Sequence, residues 1–145
     1  MAAEIRDVPL DHGFPRYGSQ LTVGLMVPLR LMETWAHGQD IFDTLGVPHR
    51  PTSRLRHVAS LGVAGRELSF HAAQLPAPAK PFRVELTGPD GQNWAWGPED
   101  AVQRVQGSAL GFCLRVPQRK SRAETDLTAV GEDAQKWLDI ARVFL

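Results

Sequence analysis

A proline-rich segment at residues 76–81, with the sequence PAPAKP, divides this chain. Its three prolines fix the backbone φ angle and lack the N–H donor, so neither a helix nor an inner sheet strand continues through it. We therefore predict a stiff linker between a first segment at residues 21–75 and a second at residues 82–145. A length of 145 residues is enough for one ordinary domain or two small lobes.

The first segment is predicted to be helical. Residues 21–45 predict one long helix, because apolar side chains recur at helical spacing. Pro28 should kink this helix or mark its true start, and Gly46 with Pro48 is a stop signal. The preceding residues 1–20 are rich in proline, glycine and charge, and we expect a flexible N-terminal arm there.

A second helix is predicted over residues 54–74, with Thr52 or Ser53 as its N-cap. Its apolar residues lie on one face, and its small residues suit close packing against a neighbour. We therefore expect the first segment to consist of two packed helices.

The second segment begins with a hairpin signal. Residues 82–87 alternate apolar and polar side chains, residues 88–91 are turn-forming, and residues 93–96 supply the return strand. Residues 97–100 (GPED) predict the start of a short helix, because a proline followed by two acids is typical of a first helical turn.

The rest of the second segment mixes helix and strand. A helix is predicted from Ser108 to Pro117, where proline should truncate it. Residues 125–130 predict a third strand, and a final helix starts at Glu132 or Asp133. The fold class expected for the whole chain is α+β, with a helical first part and a small α/β lobe.

Composition and charge weigh against nucleic-acid binding. The formal net charge is zero, so there is no electrostatic footprint for nucleic acid, which we consider an improbable partner. The one basic cluster, residues 115–122, is interpreted as a solvated surface. Trp94 and Trp96 share one strand face, where core packing is favoured over a base-stacking platform.

Cysteine usage and hydropathy indicate the compartment. Cys113 is the single cysteine, so no intrachain disulfide can form and a reducing, cytoplasmic location is expected. We interpret its thiol as buried and structural. No run of 18 apolar residues exists, so no membrane partner is expected.

Glu33 and His37 are the residues most indicative of chemistry. They are four residues apart on the first predicted helix, which places both side chains on one face about one turn apart. A carboxylate and an imidazole are both good zinc ligands. An ordinary surface hydrogen bond at this spacing is the alternative interpretation.

Two ligands do not complete a zinc site, so a third is needed. His57, on the neighbouring predicted helix, is the first candidate, ahead of His12, His49 and His71. Asp40 lies one turn beyond His37, where it could orient a ligand or pair with Arg56.

These residues lie within a pattern that resembles a known family. Residues 31–41 (LMETWAHGQDI), followed by Leu45 and Gly46, resemble the last bundle helix of actinobacterial DinB-like metal-binding proteins, which are related to mycothiol-dependent maleylpyruvate isomerase. One branch of that family is similar over most of the chain from about residue 15 onward. The segments that carry this similarity are residues 54–59 (RLRHVA), 94–101 (WAWGPEDA), 105–110 (VQGSAL) and 112–113 (FC).

The resemblance implies a function. The C-terminal part of the branch is labelled a wyosine-base-formation domain, named for tRNA wybutosine synthesis, and resembles a sterol-carrier-like domain in shape. Glu33 and His37 would be metal ligands, with a third histidine on an earlier bundle helix that this chain does not contain. We therefore expect a truncated, metal-binding relative of thiol-dependent transferases and isomerases, with zinc at low occupancy and mycothiol or another small thiol as a ligand.

Two further interpretations stay open. The chain could be a non-catalytic remnant or binding module that forms homo-oligomers through the helix faces left uncovered. The family label alone favours a role in tRNA modification. Whether the chain is an enzyme is not decided by its sequence.

Overall fold

The structure is a computed structural model that describes residues 7–16, 19–48 and 50–143. Strands β1 (Gly13–Arg16) and β2 (Ser19–Thr22) pair antiparallel, with Gly13 opposite Thr22. Part of residues 1–20 therefore forms regular strands, which the sequence does not predict, and the flexibility of this arm stays a prediction. Pro15 is compatible with β1 because the strand pairs on one edge only, where a missing N–H is tolerated.

Helix α1 (Val23–Leu45) agrees with the predicted long helix. Pro28 lies inside it, so the helix starts before the proline rather than at it. The predicted stop is confirmed, since Gly46 adopts the left-handed conformation with φ of 64° and its N–H donates to the carbonyl of Asp43.

The single helix predicted over residues 54–74 is wrong, because the structure has two. Helix α2 (Leu55–Ala64) and helix α3 (Arg66–Ala72) are separated at Gly65, a residue of low helix propensity. The predicted caps are also wrong: α2 is preceded by Arg54 and has no side-chain cap. The described part of the first segment thus contains three helices instead of two.

Strands β3 (Phe82–Thr87) and β4 (Asn93–Trp96) form the predicted antiparallel hairpin. The helix expected after residues 97–100 is wrong. Those residues make a turn that leads into strand β5 (Gln103–Ser108), which pairs parallel with β3. Gln103 and Val105 point into the core, and this period-two burial overrides the helix-start signal of the preceding acids.

Helix α4 (Ala109–Arg115) starts after Ser108, whose hydroxyl accepts a hydrogen bond from the N–H of Gly111 at 3.0 Å. It ends before Pro117, as predicted. Strand β6 (Thr128–Val130) and helix α5 (Glu132–Ile140) follow, so the predicted third strand is shorter than expected. The larger sheet has the order β4-β3-β5-β6, and the α+β class is confirmed.

The core lies on one face of this sheet. Trp137 of α5 contacts Phe82 and Phe112 edge-on, with ring centroids 5.6 and 5.8 Å away. Buried residues from before and after the proline-rich segment, such as Val58 and Val84, belong to the same cluster. The four domains proposed from the sequence stay a prediction. Within the described ranges, no helix is long and apolar enough to cross a membrane.

Several side-chain interpretations are settled by burial. Cys113 is fully buried, and burial raises the pKa of its thiol far above the ordinary value, so the structural interpretation is confirmed. Trp94 is buried and Trp96 packs against the core, with its indole N–H donating to Ser60 of α2. The solvated interpretation of residues 115–122 is wrong for Arg115, which is buried.

Candidate functional site

Helix α1 has two contrasting faces. Met32, Ala36 and Gln39 are buried against the rest of the fold. By contrast, Val27, Ile41 and Leu45 are exposed, with relative solvent accessibilities of 49%, 60% and 68%. A helix that packs one apolar face normally presents a polar one to solvent, so apolar residues on the outer face of α1 are unusual.

His37 lies at the edge of this outer face. Its side chain is 72% exposed, and its Nδ1 is 3.3 Å from Oδ2 of Asp40. When Nδ1 carries the proton it donates to Asp40, and Nε2 then has a lone pair available for a metal. An imidazole oriented by a carboxylate through its other nitrogen is the usual arrangement of metal-bound histidines.

Arg119 competes for the same nitrogen. Its Nη2 is 3.2 Å from Nδ1 of His37, and arginine can only donate. If Nδ1 accepts this bond, the proton sits on Nε2 and the ring cannot coordinate a metal through that atom. The site therefore has two tautomeric states, of which only the one hydrogen-bonded to Asp40 suits a metal at Nε2.

Asp40 is held by two hydrogen bonds from Arg119, at 2.9 Å to Oδ1 and 2.7 Å to Oδ2. These bonds, with the arginine charge, keep the pKa of Asp40 below its ordinary value, and the contact with His37 acts in the same direction. The expected pairing of Asp40 with Arg56 is wrong, because its partner is Arg119. The expectation that Asp40 lies beside His37 agrees with the geometry.

Glu33 is one turn before His37 but has its own partner. Its Oε2 accepts a hydrogen bond from Arg30 at 2.8 Å, and its side chain is 24% exposed. It also borders a shallow hollow beside Phe14 of β1 and Met26. A metal at His37 would have to compete with Arg30 for this carboxylate.

The third-ligand candidates are dispersed. His57 is exposed on α2, His71 is exposed on α3, and His12 packs against Phe14 with ring centroids 4.9 Å apart. His49 lies outside the described residues. Within the described part of the chain, no group of three or more histidine, cysteine, aspartate or glutamate residues is placed to hold a metal. Glu33 and His37 thus provide suitable types of zinc ligand, but two ligands are fewer than the three that a catalytic zinc site normally has.

Sequence reasoning missed Arg119 at this site. It is 79 residues from Asp40 in the chain, and it follows α4 in a loop of the second segment. The sequence shows Arg119 only as one member of the basic cluster at residues 115–122. Such a cluster does not indicate which acidic residue each arginine will contact.

Comparison with family models finds a match over part of the chain. Residues 78–130 match the family described as "Wyosine base formation". This match begins before β3 and ends with β6, so Glu33, His37, Asp40 and His57 lie outside it.

Longer relatives are similar over nearly the whole chain. "Uncharacterized protein MT0041" from Mycobacterium tuberculosis strain CDC 1551 / Oshkosh is 50% identical over 141 residues, which is 97% of this chain and 55% of that protein. "Uncharacterized protein Rv0036c" from strain ATCC 25618 / H37Rv matches with the same identity and coverage. The chain therefore spans about half the length of the curated relatives that it matches. No solved structure is significantly similar.

Proposed function

We propose that this chain carries half of a divalent-metal site, with Glu33 and His37 as ligands, in a protein related to the DinB-like thiol-dependent transferases and isomerases. The observation that carries the proposal is the exposed imidazole of His37, whose Nδ1 is 3.3 Å from a carboxylate. A histidine held in this way presents Nε2 outward, as a metal ligand requires.

The number of donors determines how the half-site behaves. Catalytic zinc is normally held by three protein ligands and a water molecule, so two donors should bind it weakly. We propose that the remaining ligand comes from outside the residues of this chain, which cover 55% of the curated relatives' length. His57 is the candidate within the chain if the site closes locally.

The surrounding residues would tune the metal site. Asp40 would hold the metal-competent tautomer of His37, whereas the charge of Arg119 would oppose a divalent cation beside it. A bound zinc ion would favour the thiolate of a small thiol such as mycothiol, as coordination does generally. Asp40 would thus orient the donor nitrogen of His37, and the side of the site that faces solvent would stay open to the thiol.

A zinc titration of the purified, metal-free chain tests this proposal. We expect weak binding, with a Kd on the order of tens of micromolar or higher, because only two donors are present. His37→Ala should lose at least about tenfold in affinity, since removing even a partner that orients a ligand typically costs on the order of 10- to 100-fold. Asp40→Asn should lose a smaller amount.

His71→Ala is the matched control, because this exposed histidine lies on α3, away from α1. It should bind zinc as the unmodified chain does. If His37→Ala and His71→Ala bind zinc equally well, the metal is held nonspecifically and the half-site is rejected. A loss in His57→Ala as large as that in His37→Ala would instead identify the third ligand.

Two other functions have specific support. The exposed apolar residues of α1 favour a non-catalytic module that forms homo-oligomers. The match over residues 78–130 favours a role in tRNA wybutosine synthesis at the level of the family description. The net charge of zero weighs against direct binding of tRNA by this chain. The cytoplasmic location stays a prediction from the single cysteine.

A further inference from the structure

A groove of about 280 Å³ runs between α1 and the segment that leads into α2. Its floor is apolar and includes Trp35, Leu55 and Val58, of which the last two are buried in the core. Its rim carries the exposed side chains of Arg50 and Arg54. An apolar cleft with a few convergent polar groups is the usual form of a small-molecule site.

The two arginines have no partner in the described part of the chain. Neither guanidinium group makes an ion pair or a side-chain hydrogen bond there, whereas Arg30, Arg104 and Arg119 all pair with carboxylates. Two unpaired guanidinium groups at one rim create a local positive charge that complements an anion. Arginine also matches the planar carboxylate group through paired N–H donors.

Gly38 keeps the groove open. It lines the groove from within α1, although glycine weakens a helix interior. No neighbouring atom lies within 4 Å of the place where a Cβ on Gly38 would stand. A larger side chain there would project into the groove without a backbone clash.

We infer that this groove binds a small amphipathic carboxylate, with its flat apolar body on the Trp35 side of the floor and its head group between Arg50 and Arg54. The volume suits a body of one or two fused rings. The inference does not depend on the proposed metal site. Gly38 follows His37 directly, and consecutive residues of a helix point about 100° apart, so the groove and the ligand pair face different directions.

Naphthoate and its neutral counterpart naphthamide are the probes, titrated into the whole chain by calorimetry and by NMR shift mapping. Naphthoate should bind with a Kd on the order of a millimolar or below, as a fragment of this size allows. Naphthamide should bind about tenfold more weakly, because it lacks the charge that the arginines recognise. Inorganic phosphate should bind more weakly still, since it has no apolar body.

Four variants locate the binding. Arg54→Ala should weaken naphthoate binding about tenfold. Arg56→Ala, which removes an exposed arginine two residues further on and outside the groove, should leave it unchanged. Gly38→Phe should abolish binding by filling the groove. Gly38→Ala, which adds one carbon, should still bind naphthoate. If Gly38→Phe does not fold, the comparison of Arg54→Ala with Arg56→Ala still tests whether naphthoate binds in the groove.

The inference is overturned if naphthamide binds as tightly as naphthoate, if Arg54→Ala and Arg56→Ala behave alike, or if no binding is detected at millimolar ligand. Light scattering gives a further outcome against it. A dimer of the chain that Gly38→Phe dissociates would show that a second copy, rather than a small acid, occupies the groove. Zinc binding by each variant is measured separately, so failure of the groove and failure of the metal half-site are distinguishable.

Discussion

At the residue scale, Arg115 shows how a buried cation can be held without a carboxylate. Its guanidinium group donates to the carbonyl oxygens of Leu138, Asp139 and Ala141, at 2.8, 2.6 and 3.2 Å. These carbonyls lie at the C-terminal end of α5, where helix carbonyls lack internal partners and carry partial negative charge. Burial lowers the pKa of Arg115, but an arginine remains charged over the accessible pH range.

Arg115→Ala should destabilise the chain by about 2 to 4 kcal/mol, because it removes three hydrogen bonds and leaves buried carbonyl groups without donors. Urea unfolding near neutral pH measures this difference. Arg56→Ala, an exposed arginine on α2, is the control and should change the free energy of unfolding by less than about 0.5 kcal/mol. Equal effects of the two substitutions would contradict this role of Arg115.

Arg115 and Arg119 also mark what the sequence could not reveal at this scale. Both belong to a basic cluster whose sequence predicts a solvated surface. In the structure the nearest partner of Arg115 is 23 residues away in the sequence, and Asp40, the partner of Arg119, is 79 residues away. Local charge patterns carry no information about such partners. By contrast, the contact of His37 with Asp40 spans three residues and follows from helical spacing.

At the element scale, the sequence predicts best where a local signal and burial agree. Local signal and burial agree at three places that the sequence predicts correctly. These are the alternation in β3, the turn at residues 88–91 and the start of α4 after Ser108. Strand β5 was missed because proline and acids before it imitate a helix start, whereas its strand state comes from pairing with β3. The break at Gly65 was missed because the apolar pattern continues across it.

Two helical glycines should respond oppositely to the same substitution. A Cβ on Gly62 of α2 would lie 2.9 Å from Phe112 and 3.1 Å from Val116, so Gly62→Ala should cost about 1 to 3 kcal/mol through overpacking. Gly38→Ala meets no neighbour within 4 Å and should stabilise α1 by about 0.5 to 1 kcal/mol. Thermal unfolding of both variants tests this, and shifts of the same sign would contradict the packing described for α1 and α2.

At the scale of the whole molecule, α1 is the element that the fold leaves half covered. Its inner face packs into a core formed by residues that precede and residues that follow the proline-rich segment in the sequence. Its outer face presents apolar side chains beside His37. The chain covers 55% of the relatives' length, and they match 97% of the chain at 50% identity. An open helix face with an incomplete donor set agrees with the half-site that we propose.

The most direct test of the proposed half-site is a long-range ¹H–¹⁵N NMR spectrum of the histidine rings during addition of zinc. We expect the Nε2 signal of His37 to shift on coordination, while Nδ1 keeps its proton toward Asp40. The rings of His57 and His71 should change less. Signals of His37 that stay constant while zinc is added, or a proton that remains on Nε2, would contradict the metal half-site.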